Sequence, residues 1–130
     1  MPNKIEYLID TDIFVDHLTQ KDISALSDLE AAMSTGMCFT SVIQASELYF
    51  YASEPLEKKG ADSVLRAMKV LGIHPRYSLT ISDFFNKVAT TRDAIVCSVA
   101  KNNKLPIFTN DRYRYKESGI KIITPLDLRG

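Results

Sequence analysis

Short apolar runs alternate along this chain with longer stretches in which apolar residues recur every three or four positions. Residues 5–9 (IEYLI) form one such run, rich in branched and aromatic side chains and ended by polar residues, which is typical of a buried strand. The same reasoning predicts further strands at 37–40, within 73–79, at 106–108 and at 120–123. Helices are predicted over 13–18, 23–34, 41–53, 56–71, 81–90 and 92–101, with a short helical or irregular piece over 112–117. Strands separated by helices indicate an α/β fold with a largely parallel sheet.

Individual residues predict the faces and ends of these helices. The 23–34 helix has apolar residues at positions 23, 26, 29 and 33, and Gly36 is expected to end it. The helix that starts at Ser41 carries apolar residues around most of its circumference, which predicts burial. Pro55 is expected to break that helix, Gly60 to interrupt the next one, and Thr80 to cap the helix over 81–90.

Length and charge narrow the class of protein. The 130 residues predict one domain over 1–130, and the 16 basic and 16 acidic residues cancel. A polyanionic partner would therefore need a local patch or a metal ion. The first residues do not resemble a secretory leader, and no apolar run is long enough to cross a membrane, so a reduced, cytoplasmic location and no membrane partner are expected. Cys38 and Cys97 are predicted to be buried thiols.

Acidic residues stand where chemistry is expected in such a fold. Asp10 follows the first strand and Asp111 follows the fourth, and ligands bind outside the carboxyl ends of parallel strands. Taken alone, Asp10 and Asp12 are explained as well by capping of the next helix, and Asp111 by a turn. Their positions by themselves therefore leave both explanations open.

Two further acids lie on helix faces that the pattern predicts to be apolar. Glu47 shares a face with Ile43 and Phe50, and no Lys or Arg lies near it in sequence. Asp93 begins a face that continues through Val96, although it could simply complement the helix dipole. An unpaired buried carboxylate costs several kcal/mol, roughly, so these positions require an explanation unless the side chains turn to solvent.

Considered together, the four acids predict one carboxylate pocket that only bound cations make tolerable. Oxygen ligands without a Cys/His cluster of zinc spacing select hard ions such as Mg²⁺ or Mn²⁺. His17 and His74 lie far apart in sequence and are expected to have surface or packing roles. The predicted metal ligands and catalytic residues are Asp10, Glu47, Asp93 and Asp111.

The order of four motifs resembles the PIN-domain ribonucleases, most closely the VapC-like toxins of toxin–antitoxin pairs. Three stretches carry these motifs in that order, LIDTDIFVD, SVIQASEL and RDAIVCSVAKNNKLPIFTND, the last of which holds two of the four, and the resemblance extends from residue 7 to about 125. The acids of that family fall on the four acids already named. The polar residues that accompany the first and last acids in the family match Thr11, Asp12, Thr109 and Asn110.

The resemblance implies a sheet of strand order 3-2-1-4-5 flanked by helices, and cleavage of single-stranded RNA that depends on Mg²⁺ or Mn²⁺. It also implies a homodimer and inhibition by a cognate antitoxin protein. The chain departs from the family where Arg114 replaces a frequent aromatic residue, and the segment between 72 and 93 is short. RNA contacts are expected from basic and aromatic residues near the pocket, namely Arg92, Arg112, Arg114, Lys116, Tyr113 and Tyr115.

Two other functions remain open at this point. A strand ending in Asp-x-Asp also opens the haloacid-dehalogenase-like phosphatases, in which Asp10 would be the nucleophile, although Phe14 stands where that family has Thr. A PIN-fold protein that only binds a partner is the second alternative. The segment 43–71 also carries more apolar and aromatic side chains than a small core can absorb, which predicts association with a partner helix or a second copy.

Overall fold

The computed structural model describes residues 4–129, in which a five-stranded sheet lies between two layers of helices. All strand pairs are parallel, and the order is β3-β2-β1-β4-β5, as expected from the resemblance. The strands are β1 (Glu6–Ile9), β2 (Met37–Ser41), β3 (Lys69–Leu71), β4 (Ile107–Phe108) and β5 (Ile122–Ile123).

The helices occupy most of the chain between the strands. They are α1 (Thr11–Thr19), α2 (Asp28–Thr35), α3 (Val42–Tyr51), α4 (Pro55–Arg66), α5 (Ser78–Ile81), α6 (Thr91–Asn103) and α7 (Pro125–Arg129). Short 3₁₀ turns lie at Pro75–Tyr77, Ser82–Phe84 and Arg112–Tyr115. In the part of the chain that the structure describes, no helix has both the length and the apolar character that a bilayer crossing requires.

Apolar residues fill a core on each face of the sheet. Ile9 and Phe14 belong to the cluster under α1 to α4, and Leu8 and Val99 to the cluster under α6. Successive residues of β1 thus point into opposite layers, which is why this strand is an uninterrupted apolar run. Because β2 and β4 pair with opposite edges of β1, the strand order reverses there, and a crevice for ligands opens at the carboxyl end of β1.

Several predicted elements differ from the structure between β1 and β3. The helix predicted over 23–34 begins only at Asp28, because Ser27 and Glu30 form a capping box, and Ile23 is 94% exposed. Pro55 starts α4 rather than only ending α3. Gly60 does not interrupt α4, which runs through it. Its lack of a side chain allows close packing against α1, because a Cβ at this position would lie 2.9 Å from the Leu18 side chain.

Further differences lie around β3 and in the second half of the chain. The third strand is 69–71 rather than within 73–79, and it follows a helix that ends at Arg66. Thr80 caps no long helix over 81–90, because its hydroxyl is hydrogen-bonded to the Tyr77 carbonyl oxygen and the Ser98 hydroxyl. The tail, for which no element was predicted, forms α7. Burial of α3 was overestimated, since Phe50 is 91% exposed.

Candidate functional site

Asp10 stands at the carboxyl end of the central strand, as predicted. Its backbone N–H donates to the carbonyl oxygen of Phe108 on the neighbouring strand at 2.9 Å, and its side chain is almost wholly buried. The carboxylate caps α1 by accepting a hydrogen bond from the Thr11 N–H at 2.9 Å. The capping explanation is therefore correct for Asp10, but its carboxylate oxygens also accept hydrogen bonds from more distant residues.

Helix α3 brings Glu47 toward the same strand end. Ser41 starts this helix by accepting a hydrogen bond from the Ile43 N–H, and the Thr11 hydroxyl donates to Oε1 of Glu47 at 2.6 Å. The Glu47 side chain is 38% exposed, so it lies at the rim of the crevice rather than on a fully buried stripe. The predicted apolar face around it is wrong in part, because Phe50 points into solvent.

Helix α6 supplies Asp93. The hydroxyl of Thr90 caps this helix by accepting a hydrogen bond from the Asp93 N–H at 3.1 Å. Asp93 is 3% exposed, and the face that it begins continues inward through Val96 and Cys97, as the sequence pattern predicted. The first turn of α6 therefore directs a buried carboxylate at the end of β1.

Arg92 joins these three carboxylates. Its Nη2 donates to Oδ1 of Asp10 at 2.6 Å and to Oε1 of Glu47 at 2.7 Å, and its Nη1 donates to Oδ1 of Asp93 at 3.1 Å. We call Asp10, Glu47 and Asp93 the acid cluster. Burial disfavours the charged guanidinium, but the hydrogen bonds to Glu47 and the charge of Asp10 outweigh that cost and raise the pKa of Arg92.

Tyr115 closes the buried side of the acid cluster. Its hydroxyl donates to Oδ2 of Asp10 at 2.7 Å and accepts a hydrogen bond from Nη1 of Arg92 at 2.5 Å. Burial and the Asp10 charge raise the pKa of this phenol, because both disfavour phenolate. The prediction that Tyr115 stacks on an RNA base is wrong, since the side chain is fully buried. Sequence reasoning missed its role because the family's aromatic was expected one position earlier, at Arg114.

Asp111 approaches the acid cluster only through Arg114. Its Oδ1 accepts a hydrogen bond from the Arg114 N–H, and its Oδ2 lies 3.7 Å from Nε of the same residue. That Nε lies 4.0 Å from Oδ1 of Asp93. Three of the four predicted acids therefore contact the guanidinium of Arg92. The fourth, Asp111, is separated from Asp93 by the guanidinium of Arg114.

The predicted supporting residues connect the ends of the two central strands. Oδ2 of Asp12 accepts hydrogen bonds from the Thr109 hydroxyl and from the Asn110 N–H, both at 3.0 Å. The Thr109 hydroxyl in turn accepts one from the Asp111 N–H. Burial and the nearby Asp10 charge raise the pKa of Asp12 against the effect of these donors, and its Oδ1 is buried without a partner among the described residues.

The chemistry of the acid cluster fits a hard divalent ion, because carboxylate oxygens are the ligands that Mg²⁺ and Mn²⁺ prefer. Asp10, Glu47 and Asp93 already converge on a single cationic group. Within residues 4–129, however, no three acid, histidine or cysteine side chains are grouped closely enough to hold an ion as they stand. The guanidinium of Arg92 lies between these three carboxylates and contacts each of them.

The remaining candidates lie outside the acid cluster. Arg112 is paired with Asp127 at 2.7 Å, and the Lys116 ammonium lies 5.5 Å from the centre of the exposed Tyr113 ring. A cleft of about 580 Å³ beside the cluster is lined by Glu47, Ala89, Thr90, Arg92, Asp93, Asp111, Tyr113 and Arg114. Of the predicted RNA contacts, Arg92, Tyr113 and Arg114 line this cleft, and Tyr113 and Arg114 are its more exposed members.

The histidines and cysteines take the roles that the sequence suggested. His17 is hydrogen-bonded to Ser27 at 2.7 Å, and His74 accepts a hydrogen bond from the Arg76 N–H. Both cysteines are free and buried. None of these four residues lines the cleft beside the acid cluster.

The sequence profile of the PIN domain matches residues 7–117, so the chain belongs to the PIN domain family. This membership does not support the phosphatase alternative. Among curated proteins, no sequence matches the chain.

Solved structures share the fold at low sequence identity. A DNA-bound VapBC2 from Rickettsia felis has 14% identity and a TM-score of 0.78, covering 92% of this chain and 98% of that one. A toxin–antitoxin complex from Klebsiella pneumoniae has 17% identity and a TM-score of 0.71, covering 92% and 97%. VapC20 of Mycobacterium tuberculosis, a toxin that cleaves the sarcin-ricin loop, has 10% identity and a TM-score of 0.67, covering 90% and 98%.

Proposed function

We propose that this protein is an endoribonuclease that hydrolyses RNA phosphodiester bonds with the help of Mg²⁺ or Mn²⁺, and that it is the toxin of a toxin–antitoxin pair. The observation that carries the proposal is the convergence of Asp10, Glu47 and Asp93 on one cation at the switch point of a PIN fold. Structural neighbours that are described as a toxin–antitoxin complex and as a toxin that cleaves the sarcin-ricin loop support the same class.

The ion would be held by Asp10, Glu47 and Asp93, with Asp111 completing the site. A divalent ion at these oxygens supplies a water of lowered pKa and positive charge for the scissile phosphate. Tyr115 and Thr11 orient Asp10 and Glu47 through the hydrogen bonds that they donate. Attack by water in line with the leaving oxygen needs no 2′-hydroxyl nucleophile, so the expected products carry a 5′-phosphate and a 3′-hydroxyl.

The chain's exposed residues at the cleft would bind the RNA. The Arg114 side chain is 42% exposed beside Asp93 and Asp111, where a phosphate would pass. Tyr113 is 82% exposed and presents a ring on which a base could stack. Arg112 and Lys116 stand further out and would contribute charge along the backbone of the RNA.

A cognate antitoxin and a homodimer complete the proposal. Tyr49, Phe50 and Tyr51 at the end of α3 expose large aromatic side chains, whereas Leu65 of the same predicted surface is buried. Exposed aromatic residues grouped in this way are typical of interfaces. Light scattering at tens of micromolar without antitoxin checks the homodimer, and a pure monomer would contradict it.

RNA cleavage assays test the proposed activity directly. We expect the purified protein to cleave single-stranded RNA in Mg²⁺ or Mn²⁺ and to lose activity in EDTA. Asp93→Asn should lower the rate by at least about 10²-fold, the scale expected when one electrostatic contributor at a reacting centre is removed. Asp83→Asn is the matched control, because Asp83 is exposed and paired with Lys101 away from the cleft. Cleavage that persists in EDTA and in Asp93→Asn would refute the mechanism, and no cleavage at all would favour a binding protein.

A further inference from the structure

The guanidinium of Arg92 uses all three of its nitrogen atoms on the acid cluster and Tyr115. Nε donates to both carboxylate oxygens of Glu47, at 3.1 and 3.0 Å, while Nη2 and Nη1 serve the other contacts already described. The side chain is 20% exposed, against 42% for Arg114 in the same cleft. Arg92 is therefore a bound cation of the acid cluster rather than a solvated surface charge.

A divalent ion would need the same oxygen atoms. Mg²⁺ binds carboxylate oxygens at about 2.0–2.1 Å in a nearly octahedral shell. One oxygen each of Asp10, Glu47 and Asp93 lies between 2.6 and 3.1 Å from a guanidinium nitrogen. An ion at those oxygens would stand within about 4 Å of the guanidinium, where two positive charges repel strongly in a partly buried site. The ion and the guanidinium therefore exclude each other.

We propose that Arg92 competes from within the chain with divalent ions for the acid cluster, so that an ion binds only after the guanidinium has left. The inference rests on the proposed function in one respect, since it takes the acid cluster as the ion site. Until an ion arrives, the guanidinium holds three mutually repelling carboxylates together. The backbone of Arg92 lies in the first turn of α6, which Thr90 caps, so the guanidinium would leave by rotation of the side chain while the helix stays in place.

The cleft beside the cluster receives the displaced side chain. Arg92 already lines this cleft, together with Tyr113 and Arg114. A guanidinium that turns away from the carboxylates would stand beside Arg114, where an RNA phosphate enters. Arg92 would then exchange carboxylate contacts for a phosphate contact, which makes ion binding and RNA binding mutually favourable.

Mn²⁺ binding without RNA tests the competition. The affinity of the wild type, Arg92→Gln and Arg114→Gln for Mn²⁺ is measured by calorimetry and by the electron paramagnetic resonance signal of free Mn²⁺. Arg114→Gln is the matched control, because it removes the same charge from the same cleft. In the wild type the Nε of Arg114 lies 3.7 Å or more from the nearest carboxylate oxygens of Asp93 and Asp111, so Arg114 is not bound to the acid cluster as Arg92 is. We expect Arg92→Gln to bind Mn²⁺ at least about tenfold more tightly than Arg114→Gln, as when a competing state holds 90% of the population.

The outcomes for the competition and for the ribonuclease are separable. Tighter Mn²⁺ binding by Arg92→Gln supports the competition even if no RNA is cleaved, which would refute the proposed function alone. Equal or weaker binding than in Arg114→Gln, with RNA cleavage intact in the wild type, refutes the competition alone. Absence of Mn²⁺ binding in every protein refutes both.

The wild type provides a test that does not depend on a variant's folding. The Nε–H proton of Arg92 is hydrogen-bonded to Glu47 and is expected to give a slowly exchanging NMR signal. Addition of Mg²⁺ should remove that protection in proportion to the shift of the Asp93 amide signal. A protected Arg92 signal that persists while the Asp93 amide reports saturation with Mg²⁺ would overturn the proposal.

Discussion

The hydroxyl of Tyr115 offers a sharp test of how the acid cluster is held. Tyr115→Phe removes one oxygen atom and leaves the ring, which is fully buried, in place. The substitution deletes the hydrogen bond donated to Oδ2 of Asp10 at 2.7 Å and the one accepted from Arg92 at 2.5 Å. Both partners are charged groups, and Asp10 is only 1% exposed, so water cannot readily replace the lost donor.

The expected loss of stability follows from these two contacts. A hydrogen bond to a charged group contributes about 1.5–3 kcal/mol, and the guanidinium retains its other carboxylate partners. We therefore expect Tyr115→Phe to lower the free energy of unfolding by about 2 kcal/mol, mostly through Asp10. For a domain of this size that corresponds to a fall in Tm of roughly 6–10 °C.

Urea unfolding followed by far-ultraviolet circular dichroism measures the effect, in EDTA so that ions do not contribute. Tyr113→Phe is the matched control, since the same atom is removed from a ring that is 82% exposed, and the change should stay within about 0.5 kcal/mol. The slope of unfolding free energy against urea should be unchanged in both variants. Equal midpoints for Tyr115→Phe and Tyr113→Phe would show that the hydroxyl does not stabilise the site.

Three further predictions concern pH, thiols and backbone packing. Burial raises the pKa of Asp12, so its protonated form stabilises the fold in full below the ordinary pKa of 3.8, and this stabilisation is lost as the pH rises through the raised pKa. The urea midpoint of Asp12→Asn relative to wild type should therefore increase with pH over that window. A constant difference between the two midpoints would contradict the raised pKa. Burial raises the pKa of the Cys38 thiol to about 11 and that of the Cys97 thiol to about 12. Neither thiol should therefore react with a disulfide reagent at pH 8 until urea unfolds the chain. Rapid labelling of the native protein would show that the thiols are accessible. A Cβ on Gly36 would lie 2.6 Å from the Ile5 carbonyl oxygen, so Gly36→Ala should lower the thermal midpoint of unfolding. Gly72→Ala is the control and should show no such fall, because a Cβ on Gly72 would meet nothing within 4 Å.

Much of the fold was predictable because its determinants are local in sequence. The run before Asp10 is apolar on both faces, which identifies a buried central strand, and the glycine at position 36 marks the end of α2 in the sequence. Caps are equally local, as with Thr90 at α6. The positions of Asp10, Glu47, Asp93 and Asp111 on these elements were therefore predictable, together with the parallel sheet that brings them to one edge.

Other features depend on partners that are distant along the chain. The strand at 69–71 has only three residues, and it is a strand because β2 pairs with it. The sequence predicted Thr80 as a helix cap, but its hydroxyl is hydrogen-bonded to the Tyr77 carbonyl oxygen and to the hydroxyl of Ser98, which lies on α6. Local propensity is weak for such short segments, so tertiary pairing determines their structure.

The same distinction explains the site. Local pattern is enough to predict which elements carry the carboxylates, because strand ends and helix faces follow from it. What neutralises these carboxylates depends on residues that are distant along the chain: Arg92 reaches Glu47 across 45 residues of sequence and Asp10 across 82, and Tyr115 reaches Asp10 across 105. Coulomb attraction depends on distance in space, and that distance is fixed only when α3, α6 and the strand ends pack together.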